Sequence, residues 1–280
     1  MTPGTLPIVA GGGGEVRSAL RKATARLEAV GLATARQDAE ALLARVLDTT
    51  RLGLHLEPGR PLHPSAVAEF TALLARRAAQ EPLQYLLGEV EFGGLTLRVG
   101  PGVFIPRPET EELVGRVLAV LDGHARWAVD LGTGSGAIAC ALAARRPALG
   151  VWAVERSIAA LAWARENVRR LGLAERVVVV AGDLFAPLAG RGLEGACDLV
   201  VANPPYLAGP VLAGLPEEVR AWEPRGALDG GPDGLALITR IVAGAPAWLR
   251  PGGRLVVEIG ADQGAAVRRL AAADPRYGPA

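Results

Sequence analysis

The sequence Asp-Leu-Gly-Thr-Gly-Ser-Gly, at residues 130–136, follows an apolar run near 126–131 and precedes an Ala-rich stretch at 137–144. The apolar run is typical of a buried strand, and the Ala-rich stretch is typical of a helix. Glycines between a strand and a helix allow a tight turn and a close approach of the backbone to a ligand. This stretch therefore predicts the first strand, loop and helix of an open α/β sheet.

The same alternation of strand and helix continues to the end of the chain. The predicted strands lie near 126–131, 150–155, 177–181, 198–203 and 253–259. Regular alternation is typical of a parallel, doubly wound, Rossmann-like sheet, in which ligands bind at the carboxyl ends of the strands. We therefore predict an α/β domain over residues 107–280.

The first part of the chain has a different periodicity. Apolar residues recur at intervals of three and four from Val16 to Val30, and two similar stripes follow. The period changes to two around Gly93-Gly94, which is typical of a β-hairpin. The predicted segments are a flexible N-terminus at 1–14, a helical bundle at 15–86 and a β-hairpin linker at 87–106.

The glycine loop has the spacing of a dinucleotide fingerprint if Ala137 is included. Asp130 argues against a dinucleotide, because a carboxylate just before the first glycine would repel a pyrophosphate. The same carboxylate would attract the ammonium or sulfonium of S-adenosylmethionine, which carries no phosphate. The predicted cofactor residues in this loop are Asp130, Gly132, Thr133, Gly134, Ser135 and Gly136.

Polar side chains also end the second and third predicted strands. Glu155 can accept hydrogen bonds from both hydroxyls of a ribose. Asp183 is placed for an adenine amino group, with Leu184 and Phe185 as apolar walls. Each carboxylate alone is more typical of a solvated loop or a helix cap, but three successive strand ends together predict a lined site.

Residues 203–206, Asn-Pro-Pro-Tyr, directly follow the apolar run 199–202. The two prolines remove two backbone donors and leave carbonyls that no helix or sheet will use. Asn203 adds a side-chain carbonyl and Tyr206 adds a flat ring, so the corner suits a planar NH2 group. Asn-Pro-Pro by itself is equally typical of a proline-rich turn. The candidate catalytic residues are Asn203, Pro204, Pro205 and Tyr206, with Asn203 also next to the cofactor.

Two prolines flank an arginine in the stretch 104–110, which predicts a stiff, extended approach to a helix. The candidate residues for the approach of substrate and cofactor are Phe104, Pro106, Arg107, Glu109 and Thr110.

Composition excludes several classes of protein. The net charge is +1 and evenly spread, without the basic stripe that binding to a phosphate backbone needs, so we expect no stable nucleic-acid binding. Cys140 and Cys197 lie in apolar segments and the three histidines are scattered, which predicts buried thiols and no metal site. With no signal peptide and no run of membrane length, we expect a cytoplasmic protein without a membrane partner.

Together these segments resemble the release factor glutamine methyltransferases of the HemK/PrmC type, which are class I S-adenosylmethionine-dependent methyltransferases. The resemblance covers nearly the whole chain. Besides the helical start, it includes residues 84–92, 104–110, 130–136, 203–206, 220–224 and 252–253. The tetrapeptide alone is shared with methyltransferases that act on amino groups of adenine or cytosine, whereas its combination with residues 105–110 and the helical start is specific.

The resemblance implies methyl transfer to the side-chain amide nitrogen of the glutamine in the Gly-Gly-Gln motif of class I peptide-chain release factors. That modification supports translation termination and leaves S-adenosylhomocysteine as the second product. The resemblance also implies that residues 15–86 dock the protein substrate. Family members usually continue past the position of Ala280 with a further strand pair, a difference that we expect to affect stability more than the site.

Two other functions remain open on the residues themselves. A methyltransferase acting on adenine in DNA or RNA would need a basic groove or a base-recognition domain, and neither is visible in the sequence. A nicotinamide-dependent oxidoreductase would need a proton donor near the site, and Asp130 argues against its cofactor.

Overall fold

The computed structural model describes residues 14–278, so the predicted flexible segment 1–14 lies outside the described residues except for Gly14. The chain forms two compact units, of which the first ends at Gly88 and the second begins at Glu89. The hairpin belongs to the second unit, whereas the sequence treats 87–106 as a separate linker. Among the described residues, every helix is too short or too polar to cross a membrane.

The described part of the first unit, residues 14–88, is a bundle of five helices. They are α1 (Val16–Glu28), α2 (Ala35–Val46), α3 (Arg51–Leu56), α4 (Pro64–Ala78) and α5 (Leu83–Leu87). The apolar stripes of these helices meet in one core, in which Leu27, Leu42 and Phe70 are almost fully buried. A buried ion pair between Arg77 Nε and Asp38 Oδ2, 2.7 Å apart, joins α4 to α2. Removing one partner would leave the other charge buried without its ion-pair partner, which is strongly unfavourable. The pair therefore fixes how these two helices pack.

The second unit contains the hairpin and the main sheet. The hairpin strands are β1 (Glu89–Phe92) and β2 (Leu95–Arg98). The strands of the main sheet are β3 (Trp127–Leu131), β4 (Gly150–Glu155), β5 (Val177–Ala181), β6 (Cys197–Ala202) and β7 (Leu249–Val257). The helices are α6 (Pro108–Val120), α7 (Ala137–Arg145), α8 (Ile158–Arg170), α9 (Gly209–Leu212), α10 (Glu217–Trp222), α11 (Ala236–Gly244) and α12 (Gly264–Ala272).

All five strands of the main sheet are parallel, in the order β5-β4-β3-β6-β7. This order confirms the predicted doubly wound α/β fold. The direction of winding reverses between β3 and β6, and the loops that leave these two strands diverge to form a crevice. Leu131 pairs with Ala202, and Ala202 pairs with Val257, so these strands end at the same level.

Apolar side chains cover both faces of the sheet, because successive residues of a strand point to opposite sides. On one face the hairpin, α6 and α7 pack against Ala128 and Val201. On the other face α11 packs against Val129 and Val200. Cys140 and Cys197 are free and buried, as predicted.

The last strand begins earlier than its predicted start at 253. Leu249 already pairs with Cys197, and a register shift then follows before Arg254 pairs with Leu199. Residues 251–253, Pro-Gly-Gly, lie within this irregular stretch, so their turn-like composition conceals the first part of the strand.

Asn167, in α8, connects the hairpin to the glycine loop. Its Nδ2 donates to the carbonyl oxygens of Arg98 and Ser135, each at 2.9 Å, and its Oδ1 accepts from Arg98 N at 2.6 Å. The residue is 1% exposed. One buried amide therefore joins the end of β2, the loop after β3 and the helix α8.

Asp198, in β6, joins the beginnings of three strands. Its Oδ2 accepts from the backbone nitrogens of Arg126 and Trp127 at 2.7 and 3.0 Å, and its Oδ1 accepts from Arg250 Nε at 2.5 Å. Burial by itself would raise the pKa of this carboxyl, but the hydrogen bonds from Trp127, Arg250 and Arg126 outweigh burial and lower the pKa. The ionised carboxylate therefore stabilises this edge of the sheet.

Replacing Asp198 with Asn should lower the free energy of unfolding by about 1.5–3 kcal/mol at neutral pH, because charge-assisted hydrogen bonds are lost. The folded pKa lies below the unfolded value of 3.8. The contribution of Asp198 to the free energy of unfolding is therefore fully present above pH 3.8 and is lost as the pH falls through the folded pKa. Urea unfolding of both proteins at a series of pH values measures the difference.

Glu112→Gln is the control for this experiment, because Glu112 forms an exposed ion pair with Arg116. Its effect on the free energy of unfolding should stay below about 0.5 kcal/mol. Equal losses in the two variants would show that the Asp198 network has no special role.

Candidate active site

A cavity of about 560 Å³ opens at the carboxyl edge of the sheet, where the winding reverses between β3 and β6. Its volume lies within the range of about 300–1,000 Å³ that is typical of small-molecule sites. The predicted site residues that line it are Phe104, Pro106, Thr110, Gly132, Thr133, Gly134, Ser135, Glu155, Asp183, Leu184, Asn203, Pro204, Pro205 and Tyr206. The fold thus brings distant segments of the sequence together around one space.

Four predicted residues do not line the cavity: Asp130, Gly136, Arg107 and Glu109. Gly136 lies at the start of α7, and Glu109 is an exposed residue in the first turn of α6. Arg107 forms an ion pair with Glu223. These three residues therefore lie outside the lining of the cavity.

Asp130 is completely buried behind the glycine loop. Its Oδ2 accepts hydrogen bonds from Thr133 Oγ1 at 2.5 Å and from Ala139 N at 3.2 Å. Its Oδ1 has no hydrogen-bond partner among the described residues. Burial raises the pKa of Asp130 to about 7, and the charge of Glu155 acts in the same direction. Any contact of Asp130 with a ligand stays a prediction.

Glu155 is held at the end of β4 by backbone donors on both of its oxygens. Oε2 accepts from Gly134 N at 2.9 Å, and Oε1 accepts from Ser157 N at 2.8 Å. Gly134 has a φ of +58°, so a side chain there would be strained although the surrounding space is open. Each carboxylate oxygen retains a lone pair, and Glu155 can therefore still accept hydrogen bonds from a ligand in the cavity.

The third strand end is more open. Asp183 lines the cavity and also forms an ion pair with Arg240, with Oδ2 and Nη2 2.6 Å apart. Leu184 lines the cavity and is 9% exposed. Phe185 lies outside the lining and stacks on Trp248, with ring centroids 5.6 Å apart. One apolar wall of the predicted pair is thus present at the cavity.

The corner at residues 203–206 is fixed by hydrogen bonds from several elements. Asn203 Nδ2 donates to Thr110 Oγ1 at 2.9 Å, and Tyr206 OH donates to Glu258 Oε1 at 3.4 Å. Gln263 Nε2 donates to the Tyr206 carbonyl oxygen at 3.0 Å. The hydrogen bonds described for residues 14–278 leave the Pro204 carbonyl oxygen without a donor. The corner therefore offers acceptors to the cavity.

A close backbone approach supports the same corner. A Cβ atom on Gly234 would lie only 2.2 Å from the Tyr206 carbonyl oxygen. Because no side chain fits there, glycine allows the segment before α11 to pack directly against the tetrapeptide.

The wall formed by residues 104–107 is attached to a distant segment through Glu223. The buried Glu223 carboxylate accepts from Ile105 N at 3.1 Å and also pairs with the Arg107 guanidinium. Arg107 in turn lies over the Phe104 ring, 4.8 Å from its centroid. Burial raises the pKa of Glu223, and the charge of Arg107 opposes that shift. The stiff approach predicted from the prolines is thus held in place by one carboxylate.

The sequence predicts no role for Glu258, Gly226, Ala227 or Leu228, and it places Glu223 and Pro224 only in the family resemblance, without a role at the site. Glu258 directly follows an apolar strand, the same signal that identified Glu155 and Asp183, but the predicted strand ran to 259 and enclosed it. The contacts of Glu223 have no local signal, because its partners lie more than a hundred residues away.

Asp130→Asn should remove a component of the pH dependence of folding stability. The folded pKa of about 7 lies above the unfolded value of 3.8. The contribution of this carboxyl to the free energy of unfolding is therefore fully present below pH 3.8 and is lost as the pH rises through about 7. The loss is on the order of 4 kcal/mol, since one pKa unit corresponds to about 1.36 kcal/mol.

Urea unfolding across this pH range measures the effect in the ligand-free protein. The wild type should lose stability relative to Asp130→Asn as the pH rises. Asp262→Asn, at an exposed position, is the matched control and should keep the pH profile of the wild type. Parallel profiles for wild type and Asp130→Asn would contradict the raised pKa.

Two family models match segments of this chain. Residues 18–88 match the family model described as the PrmC N-terminal domain, and residues 97–214 match the methyltransferase small domain. A solved methyltransferase structure from Pyrococcus furiosus is 19% identical, with a TM-score of 0.46 over 64% of this chain and 78% of that chain.

Curated relatives are much more similar. The release factor glutamine methyltransferase of Moorella thermoacetica is 48% identical over 94% of this chain and 91% of its own length. That of Mycolicibacterium smegmatis is 49% identical over 87% of this chain and 84% of its own length. The chain therefore belongs to the family of release factor glutamine methyltransferases.

Proposed function

We propose that this methyltransferase transfers a methyl group from S-adenosylmethionine to the side-chain amide nitrogen of a glutamine. The glutamine is that of the Gly-Gly-Gln motif in class I peptide-chain release factors. The observation that carries the proposal is the acceptor-lined corner at residues 203–206, level with the glycine loop on the neighbouring strand. Membership of the family supports the same substrate. Such a substrate implies action in the cytoplasm, where translation takes place.

The polar lining of the cavity supports this choice of cofactor. Glu155 and Asp183 line it, and Arg156 is the single cation among the described lining residues. Such a lining suits hydroxyl, amino and ammonium donors better than it suits a pyrophosphate. We assign Glu155 to the ribose hydroxyls and Asp183 with Leu184 to the adenine. Asp130 lies behind the loop as a buried carboxyl, and its Oδ1 lacks a hydrogen-bond partner among the described residues.

S-adenosylmethionine, when bound, supplies a methyl group on a positively charged sulfur. The glutamine amide is a poor nucleophile, because its lone pair is delocalised into its carbonyl, so the main task of the protein is to orient it. We assign the two amide hydrogens to the Asn203 side-chain oxygen and the Pro204 carbonyl oxygen. Tyr206 packs near the amide plane while Pro205 keeps the corner rigid.

These acceptors also stabilise the positive charge that develops on the amide nitrogen as its bond to the methyl carbon forms and the carbon–sulfur bond breaks. The extra proton leaves to water after transfer, so no carboxylate or histidine is needed as a base beforehand. Orientation of this kind can lower a barrier by up to about 7–11 kcal/mol. Orientation by two acceptors is therefore the main contribution that we assign to the protein.

Recognition of a protein substrate needs more surface than one glutamine side chain offers. We assign this role to the helical segment 15–86, most of which lies in the stretch, residues 18–88, that matches the PrmC N-terminal domain. The wall at Phe104 and Pro106, with Arg107 and Glu109 next to it, borders the cavity that the glutamine would enter.

The wild-type enzyme should add one methyl group to the glutamine of an intact release factor. Asn203→Ala should lower the single-turnover rate of this methylation about 10²–10³-fold. That loss corresponds to one preorganised acceptor, about 2.7–4 kcal/mol. Mass spectrometry of the tryptic peptide measures the product. Calorimetry with S-adenosylhomocysteine should show that Asn203→Ala binds cofactor within about threefold of the wild type.

A release factor whose motif glutamine is replaced by alanine is the matched substrate control and should stay unmodified. Duplex DNA and RNA are the arms that test the adenine alternative. Methylation of nucleic acid with an unchanged release factor would overturn the proposed function, as would near-normal turnover by Asn203→Ala.

Glu155→Ala should weaken binding of S-adenosylhomocysteine by about 10–100-fold, because hydrogen bonds to a charged acceptor are lost, worth about 1.5–3 kcal/mol. Glu166→Ala, at a partly exposed glutamate paired with Arg169 on α8, is the matched control and should bind normally. Titration calorimetry compares the two variants. Equal affinities would remove Glu155 from the cofactor site.

A further inference from the structure

Glu258 is a carboxylate next to the reaction corner that the mechanism above does not use. It directly follows β7, and because Val257 pairs with Ala202, it lies beside Asn203 on the neighbouring strand end. Its backbone nitrogen donates to the Ala202 carbonyl oxygen at 2.9 Å. The parallel register therefore fixes where this side chain begins.

The Glu258 carboxylate ends a chain of hydrogen bonds that starts at Asn203. Thr110 Oγ1 donates to Glu258 Oε2 at 2.9 Å, and Asn203 Nδ2 donates to Thr110 Oγ1 at 2.9 Å. Thr110 is 4% exposed and lies in the first turn of α6. Three elements, α6, β6 and β7, thus meet at one buried hydroxyl.

The direction of these hydrogen bonds follows from the charge on Glu258. An ionised carboxylate can only accept, so the single hydrogen of the Thr110 hydroxyl must point to it. The hydroxyl oxygen can then only accept from Asn203, which must offer its NH2 end. The Asn203 side-chain oxygen is left at the opposite end of the amide, on a residue that lines the cavity.

We infer that Glu258 is a positioning residue that acts through Thr110 to hold the Asn203 amide with its oxygen toward the substrate. The inference rests on the proposed function, since the oxygen is assigned to the glutamine NH2 group. A reversed Asn203 amide would present its own NH2 group to that of the substrate, and two donors repel. Glu258 thus determines whether the corner accepts or rejects a carboxamide nitrogen.

Protonation of Glu258 removes the constraint, because a neutral carboxyl can donate to Thr110 and free the hydroxyl hydrogen for the Asn203 oxygen. The groups that face Glu258 are Tyr206 after β6 and Glu109 in α6, and Arg107 acts on Tyr206. Burial raises the pKa of Glu258 and the charge of Glu109 adds to this, whereas the hydrogen bonds from Thr110 and Tyr206 and, to a smaller degree, the nearby Asn203 amide oppose it. Turnover should therefore fall as the pH drops through this raised pKa.

The chain offers a direct readout of the Asn203 amide, because Asn167 and Asn203 are its two asparagines. Protein labelled with ¹⁵N-asparagine gives two side-chain NH2 signals. The Asn203 signal should shift as Glu258 titrates, and this shift should disappear in Glu258→Gln but persist in Glu109→Gln. Asn167, buried and bonded to backbone only, is the internal reference and should not follow the titration.

Kinetics give the second readout. Glu258→Gln should lower kcat about 10–100-fold, with KM for the release factor changed less than about threefold, and should lose the acidic limb of the pH profile. Thr110→Val should resemble it, and Thr110→Ser, which keeps the hydroxyl, should recover most of the lost turnover. Glu111→Gln, on the exposed side of α6, is the control with unchanged kcat.

The two readouts separate this inference from the proposed function. An Asn203 signal that titrates equally in wild type and Glu258→Gln overturns the inference, and so does an unchanged kcat and pH profile in Glu258→Gln. A wild-type enzyme that leaves the release factor unmodified overturns the proposed function, and the labelled asparagine then still decides whether Glu258 orients Asn203.

Discussion

The level ends of the parallel strands are the constraint on which the site depends. Backbone pairing sets Leu131 beside Ala202 and Ala202 beside Val257, so the next residue of each strand emerges at one edge. The reversal of winding opens a gap at the same edge. Side chains far apart in sequence thus share one cavity without any long loop having to carry them there.

The chemistry of the cavity follows from which hydrogen-bonding groups are already used. Gln263 occupies the Tyr206 carbonyl, and the two prolines have no N–H to offer. Backbone donors hold Glu155, and Thr110 takes the NH2 end of Asn203. What remains for a ligand is mostly acceptors. A site of this polarity selects groups that carry hydrogens, which a carboxamide and a nucleoside both do.

Sequence reasoning located the strand ends well, because burial of parallel strands produces apolar runs that stop where the chain meets solvent. It could not predict that Asp130 is enclosed behind the loop. Strand periodicity indicates which face of the sheet a side chain lies on, but not how deeply that side chain is buried. It enclosed Glu258 in a strand because Ile259 prolonged the apolar pattern. The role of Glu223 was not predicted, because its contact with Ile105 joins residues far apart in the sequence. Such a contact produces no local sequence pattern.

The amide of Asn167 has a mechanical consequence. Because Arg98 and Ser135 are hydrogen-bonded to the same side chain, Asn167 couples the position of the β-hairpin to that of the loop after β3. The hydrogen bonds of one side chain thus connect a hairpin outside the main sheet to a loop that lines the cavity.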